Sequence, residues 1–162
     1  MQLIDRKSAL WGYLTDDLKG LMVDGELLVA NVDEIPNKVS DYSYLVFPFA
    51  KGYEGFLKKL FLDLKMIKED EYYGDDIRIG RVLNPDYNKR AKNVFYKIRV
   101  SDKGNEKLAK ELWDMWHDGR NQVFHYFPHN FRKLTYTEAM ELIHGLLDAM
   151  QAATENFVFE FE

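Results

Sequence analysis

Between residues 46 and 64, Val46, Phe49, Ala50, Tyr53, Leu57, Leu60, Phe61 and Leu64 recur at intervals of three and four. That spacing places them on one face of an α-helix, and a helix with such a face must bury it against other elements. Pro48 is compatible with the first turn of this helix if Phe47 before it is extended; a helix starting earlier is expected to kink there. Three further segments carry the same periodicity. Residues 4 to about 32 place Leu10, Trp11, Leu14, Leu18, Leu21 and Met22 on one face, with Gly20 and Gly25 as weak points where the segment can divide. Residues 102–126 place Leu108, Leu112, Met115 and Trp116 together, with Ser101 or Asn105 as the N-cap. Thr135-x-x-Glu138 forms a capping box ahead of Leu142, Ile143, Leu146, Leu147, Met150 and Ala153.

Residues 69–100 read differently. Gly74, Gly80, Asn84-Pro85 and Asn88 punctuate them, Ile77 and Ile79 alternate with arginines, and Val94, Tyr96, Ile98 and Val100 alternate as well, which suggests two short strands. The tail 157–162 alternates like an edge strand, open to pairing with another chain or to packing on its own domain. The expected fold is mainly α: an antiparallel four-helix bundle with an irregular insertion between the second and third helices. No repeat or Pro/Gly/Ser linker divides the 162 residues, so 1–162 is expected to form a single domain.

Composition narrows the class. With no cysteine there is no disulfide, zinc-thiolate site or thiol chemistry. The longest nearly uninterrupted apolar stretch, 44–50, is far short of the ~20 residues of a membrane helix. Residues 1–6 lack the plan of a signal peptide, so a soluble, cytoplasmic protein with no membrane partner is expected. A net charge of -5 argues against a general nucleic-acid coat, though not against an enzyme that touches a few phosphates.

The chemistry concentrates in residues 116–133, which hold three of the four histidines. On a continuous helix His117, Asn121 and His125 would share one face, with Arg120 one step round. Cleaving an RNA phosphodiester needs a base for the 2′-OH proton and an acid for the leaving 5′-oxygen, and histidine titrates near neutrality. Arginine supplies a permanent bidentate cation for the developing charge, and asparagine can orient either group. The Arg-x4-His spacing alone is a weak signal. With seven arginines and four histidines it arises by chance in about one such chain in five, so Asn121 and the place at the end of the third helix carry the weight. In the competing reading Arg120 pairs with Asp118 or a neighbouring carboxylate, and the histidines are half-exposed helix-end residues. A metal site is not expected, because Pro128 interrupts the helical spacing of His125 and His129.

Arg120-Asn121-Gln-Val-Phe-His125 resembles the R-N-x-x-x-H signature of the HEPN superfamily. The chain is similar in particular to the HEPN domain of RNase LS-type toxins. Residues 44–60, with Glu54 followed by Gly and Leu-Lys, are similar to the helix those toxins carry before the motif, and a helix like 136–156 follows it there. The likeness covers about 40–156. It implies a metal-independent endoribonuclease with no cofactor, a toxin of a toxin–antitoxin or phage-defence system cutting single-stranded RNA. It further implies a homodimer with a composite cleft and an antitoxin protein that covers that cleft. Residue by residue, Arg120 and His125 would be catalytic, Glu54 would orient His125 or hold Arg120, and Asn121 would be their polar partner. Lys51, His129, Arg132 and Lys133 are candidate phosphate contacts. Glu54 also lies on a polar ridge with Lys51 and Lys58, where surface ion pairing would account for it. Trp113 and Trp116 fit core or dimer contacts better than base-stacking platforms, and His144 fits a satisfied core histidine. Where many HEPN proteins carry Tyr two places after the histidine, this chain has Phe127, so control by tyrosine modification is not expected. RNase LS-type toxins carry further N-terminal domains, so the chain would be a stand-alone relative or one domain of a longer protein. The alternative function is a non-catalytic HEPN-like module that binds a protein or nucleotide, favoured by the negative charge and the strand-like tail.

Overall fold

The computed structural model describes residues 1–34, 39–74, 76–121, 123–126, 128 and 132–157. The N-terminal helical segment is two helices, α1 (Ala9–Tyr13) and α2 (Asp16–Ala30). Neither glycine divides it. The break falls at Leu14 and Thr15, both extended, where the Thr15 hydroxyl accepts from the Leu18 N–H and restarts the helix. Asp16 and Asp17 add favourable charge in that first turn. Gly25 instead serves packing, since a Cβ there would lie 2.5 Å from the Phe49 ring. Glu26, buried on α2, accepts from the Leu3 and Ile4 N–H groups at 2.7 and 3.1 Å and pairs with Arg6, fastening residues 3–6 to the bundle.

The central element is α3 (Ser43–Asp63). It starts earlier than the proline suggested. Asp41 accepts from the Ser43 N–H and hydroxyl at 3.0 and 2.6 Å, so Phe47 is helical and Pro48 lies inside the helix. The missing Pro48 N–H removes one intrahelical bond. Burial of the proline with Leu45, Val46, Phe49, Ala50, Tyr53, Phe56, Leu57, Leu60 and Phe61 offsets that loss, because each large apolar side chain taken from water contributes about 1.5–3 kcal/mol.

The insertion holds no strand among the described residues. It forms α4 (Glu69–Tyr73), α5 (Ile79–Val82), a 3₁₀ turn (Arg90–Lys92) and α6 (Val94–Val100). The period-two reading of 94–100 overlooked Phe95. The buried residues are Val94, Phe95 and Ile98, a helical set, and Asn93 caps them by accepting from the Tyr96 N–H at 2.9 Å. The same asparagine donates to the Asn84 and Tyr87 carbonyls, folding the connecting loop onto the helix start.

Asn105 rather than Ser101 caps α7 (Glu106–Trp116), accepting from the Leu108 N–H at 2.8 Å. The α-helix does not run on to 126. It passes into a π-helical turn, His117–Asn121, and ends there. The last helix, α8 (Tyr136–Phe157), opens with the expected box: Glu138 accepts from the Thr135 N–H at 2.7 Å and Thr135 accepts from the Glu138 N–H at 3.2 Å. The bundle is built on α3, which packs against α2 and α8, with α7 in contact with α8 and α3. One apolar cluster extends from Ile4 to Phe157 and takes buried side chains from α2, α3, α7 and α8. The tail read as an edge strand lies, past Phe157, outside the described residues. Among the described residues no helix is long and apolar enough to cross a membrane.

Candidate active site

The π turn fixes where the arginine points. Gly119 is buried at its centre, where a Cβ would lie 3.0 Å from Leu146 of α8, so the turn packs backbone-first onto the bundle. A π turn is wider than an α turn and commonly marks a functional site. Arg120 leaves it toward α3 and places its guanidinium 5.0 Å from the Trp116 ring centroid. Its Nη2 donates to Glu54 Oε2 at 3.4 Å, while Lys58 Nζ stands 3.3 Å from the other oxygen, Oε1. The carboxylate is thus shared between two cations, one from its own helix and one from 66 residues along the chain. Arg120 and Glu54 keep 35% and 28% of their side-chain surface exposed, enough for a ligand to reach them.

α3 is held against α7 close to this point. Tyr53, next to Glu54 and fully buried, donates to the Leu112 carbonyl at 2.9 Å. Burial, with Glu111 nearby, pushes the Tyr53 phenol well above its ordinary pKa, so it remains a neutral donor.

Glu54, Arg120 and His125 line one cleft of about 440 Å³ together with Phe47, Ala50, Lys51 and Phe124. Three of the four expected catalytic residues therefore meet. Asn121, half-buried at the end of the π turn, is not among the described residues lining the cleft. The expected helical stripe of His117, Asn121 and His125 is not formed, because the helix ends at Asn121 and the π turn shifts the register. His117 turns to Asp118, with Nδ1 2.8 Å from Oδ1, and its ring lies 6.0 Å from that of Trp113. Arg120 pairs across the bundle with Glu54 rather than with Asp118.

Among the candidate phosphate contacts, Lys51 lines the cleft. Arg132 and Lys133 are exposed before α8 and are not among the described lining residues. Lys133 acts on Asp41: burial raises that carboxyl, but bonds from Ser43 and the Leu134 N–H, with Lys133 nearby, hold it below its usual value. His129 lies outside the described residues. His144 is exposed on α8, not a core histidine, while Trp116 is buried and Trp113 half-buried against the core. Sequence reasoning passed over Phe47 and Phe124 as site residues; no local spacing links them, and only the fold brings them together. The share of Glu54 held by Lys58 was visible as an i,i+4 pair. Among the described residues no group of three or more His, Asp or Glu side chains converges as a metal site would require.

A family model described as RNase LS, bacterial toxin DBD domain, matches residues 14–127, a span that includes Glu54, Arg120 and His125. No curated protein and no solved structure matches the chain.

Proposed function

The chain belongs to the RNase LS bacterial toxin DBD family, and from that membership we propose that it is a HEPN-type, metal-independent endoribonuclease. The substrate is single-stranded RNA, and the chain acts as one domain, a cytoplasmic toxin of an antitoxin-controlled or phage-defence system. The observation that carries the reading is the convergence of Glu54, Arg120 and His125 in one cleft from two distant parts of the chain.

In this mechanism His125 transfers protons at the reacting oxygens. A base removes the 2′-OH proton and the 2′-oxygen bonds to phosphorus. The P–O5′ bond then breaks and an acid protonates the departing 5′-oxygen. The products are a 2′,3′-cyclic phosphate and a 5′-hydroxyl. Arg120 binds the non-bridging oxygens as negative charge grows on them, and Glu54, itself held by Lys58, keeps the guanidinium aimed at that position. Lys51 takes a neighbouring phosphate, and Asn121, next to Arg120 in the chain, is the polar partner of the catalytic pair. Each copy supplies one His125, whereas the reaction uses an acid and a base. A homodimer that joins two clefts supplies both, and an antitoxin protein that covers the joined cleft silences it.

The test compares one labelled single-stranded sequence as RNA and as DNA, with EDTA present throughout. The RNA is expected to be cut to 2′,3′-cyclic phosphate ends while the DNA stays intact. Cleavage of the DNA, or 5′-phosphate products, would contradict attack by the 2′-OH.

A further inference from the structure

The cleft has a side that the proton and phosphate chemistry does not use. Phe47 is 52% exposed and Phe124 is 37% exposed, although Phe49, Phe56 and Phe61 on the same helix as Phe47 are fully buried. Full burial of a phenylalanine contributes about 1.5–3 kcal/mol, and each of these part-exposed rings forgoes a share of that beside the cleft. Their centroids lie 5.6 Å apart with the planes at 90°, an edge-to-face pair that holds both rings in place. The two rings line the same cleft as Arg120, Lys51 and His125.

We infer that Phe47 and Phe124 form a shelf on which one unpaired base of an RNA strand stacks, while Arg120 and Lys51 hold the phosphates beside it. The inference rests on the ribonuclease reading above and adds what that reading lacks, a contact to the base. The face of one ring, supported edge-on by the other, lies beside a guanidinium and matches the two chemistries of one nucleotide, a π-surface and an anion. About 440 Å³ falls in the range of sites that take a small molecule. The shelf selects for single strands, because a base inside a duplex has both faces covered and cannot reach it. Stacking tolerates any base, so the shelf positions the strand and confers at most a modest sequence preference.

The test uses the full chain in EDTA and three measurements, with every strand in them 2′-O-methylated so that the 2′-OH attack cannot cut it. Irradiation of bound oligouridine carrying 5-iodouridine, which cross-links to aromatic rings stacked on it, is expected to attach to Phe47 or Phe124 in peptide mass spectra. Affinity for oligouridine is expected to fall about tenfold in Phe47→Ala and in Phe124→Ala and to recover in Phe47→Trp. A ribose-phosphate strand of the same length without bases is expected to bind wild type and both Ala variants equally weakly. Sedimentation velocity on each variant separates the shelf from a contact between copies. Loss of affinity only in step with loss of the dimer would overturn the shelf and make the pair an interface. Wild-type cleavage of RNA, with equal binding of strands with and without bases and neutral Ala variants, would overturn the shelf alone. Failure of the wild type to bind or cut any RNA would overturn both readings.

Discussion

Removing the Tyr53 hydroxyl tests how the site is braced. The phenol is fully buried and donates to the Leu112 carbonyl at 2.9 Å, joining α3 beside Glu54 to α7 ahead of the π turn that carries Arg120. Tyr53→Phe keeps the ring and its packing and deletes only the bond. A typical intramolecular hydrogen bond contributes about 0.5–1.5 kcal/mol net. The Leu112 carbonyl lies inside α7 and keeps its helical role, which places the expected loss near ~1 kcal/mol rather than at the larger figure for an orphaned group. Tyr53→Ala adds a cavity and is expected to cost about 3–5 kcal/mol. Urea titration at pH 7 reads both, with the midpoint shifted and the slope unchanged for Tyr53→Phe. Because burial keeps the phenol neutral, the difference should be the same at pH 6 and pH 8. A Tyr53→Phe loss under ~0.3 kcal/mol would refute the bond as a brace, and a loss that varies over that pH range would refute the neutral donor.

Two other substitutions separate stability from activity. Glu54→Gln removes pairs at 3.3 and 3.4 Å that remain part-exposed, so thermal melting should fall by no more than ~1 kcal/mol equivalent while RNA cleavage drops at least about tenfold; full activity would make Glu54 a surface ion-pair residue only. Burial raises Glu26, but Arg6 and the Leu3 and Ile4 N–H groups outweigh it and hold the carboxyl below its ordinary value. A depressed folded-state pKa stabilises above the unfolded-state value and loses that contribution as pH falls through the folded one. Glu26→Gln should therefore cost about 1.5–3 kcal/mol at pH 7 and progressively less as pH drops below the ordinary glutamate range, with parallel chemical-denaturation curves at the two pH values as the contrary result.

The long helices were legible because their apolar faces are long and their caps local. Thr135 and Glu138 lie three residues apart, as do Asn105 and the Leu108 N–H that it caps. What escaped depends on contacts distant in sequence or on a single competing side chain. Thr15 restarted a helix that the glycines were expected to divide, Asp41 began α3 a turn early, and Asn93 made a helix of residues whose alternation suggested a strand. At the site, the types and spacing of Arg120 and His125 were readable, but not the π turn that ends the helix between them. That Glu54 would hold Arg120 was expected from the family resemblance and not from any periodicity, and nothing in the sequence indicated that Phe47 would meet Phe124. Both are products of packing α3 beside the end of α7.

The most direct measurement is cleavage of a labelled single-stranded RNA in EDTA by the wild type beside Arg120→Ala and His125→Ala, each variant checked for its helical signal and its oligomeric state. Cutting by the wild type that is lost in both folded variants is the expected result, a fall of at least a hundredfold if each group acts in the transition state. Cutting that persists unchanged in both variants, or no cutting by any of the three on several RNAs, would contradict the assignment of this cleft as a ribonuclease site.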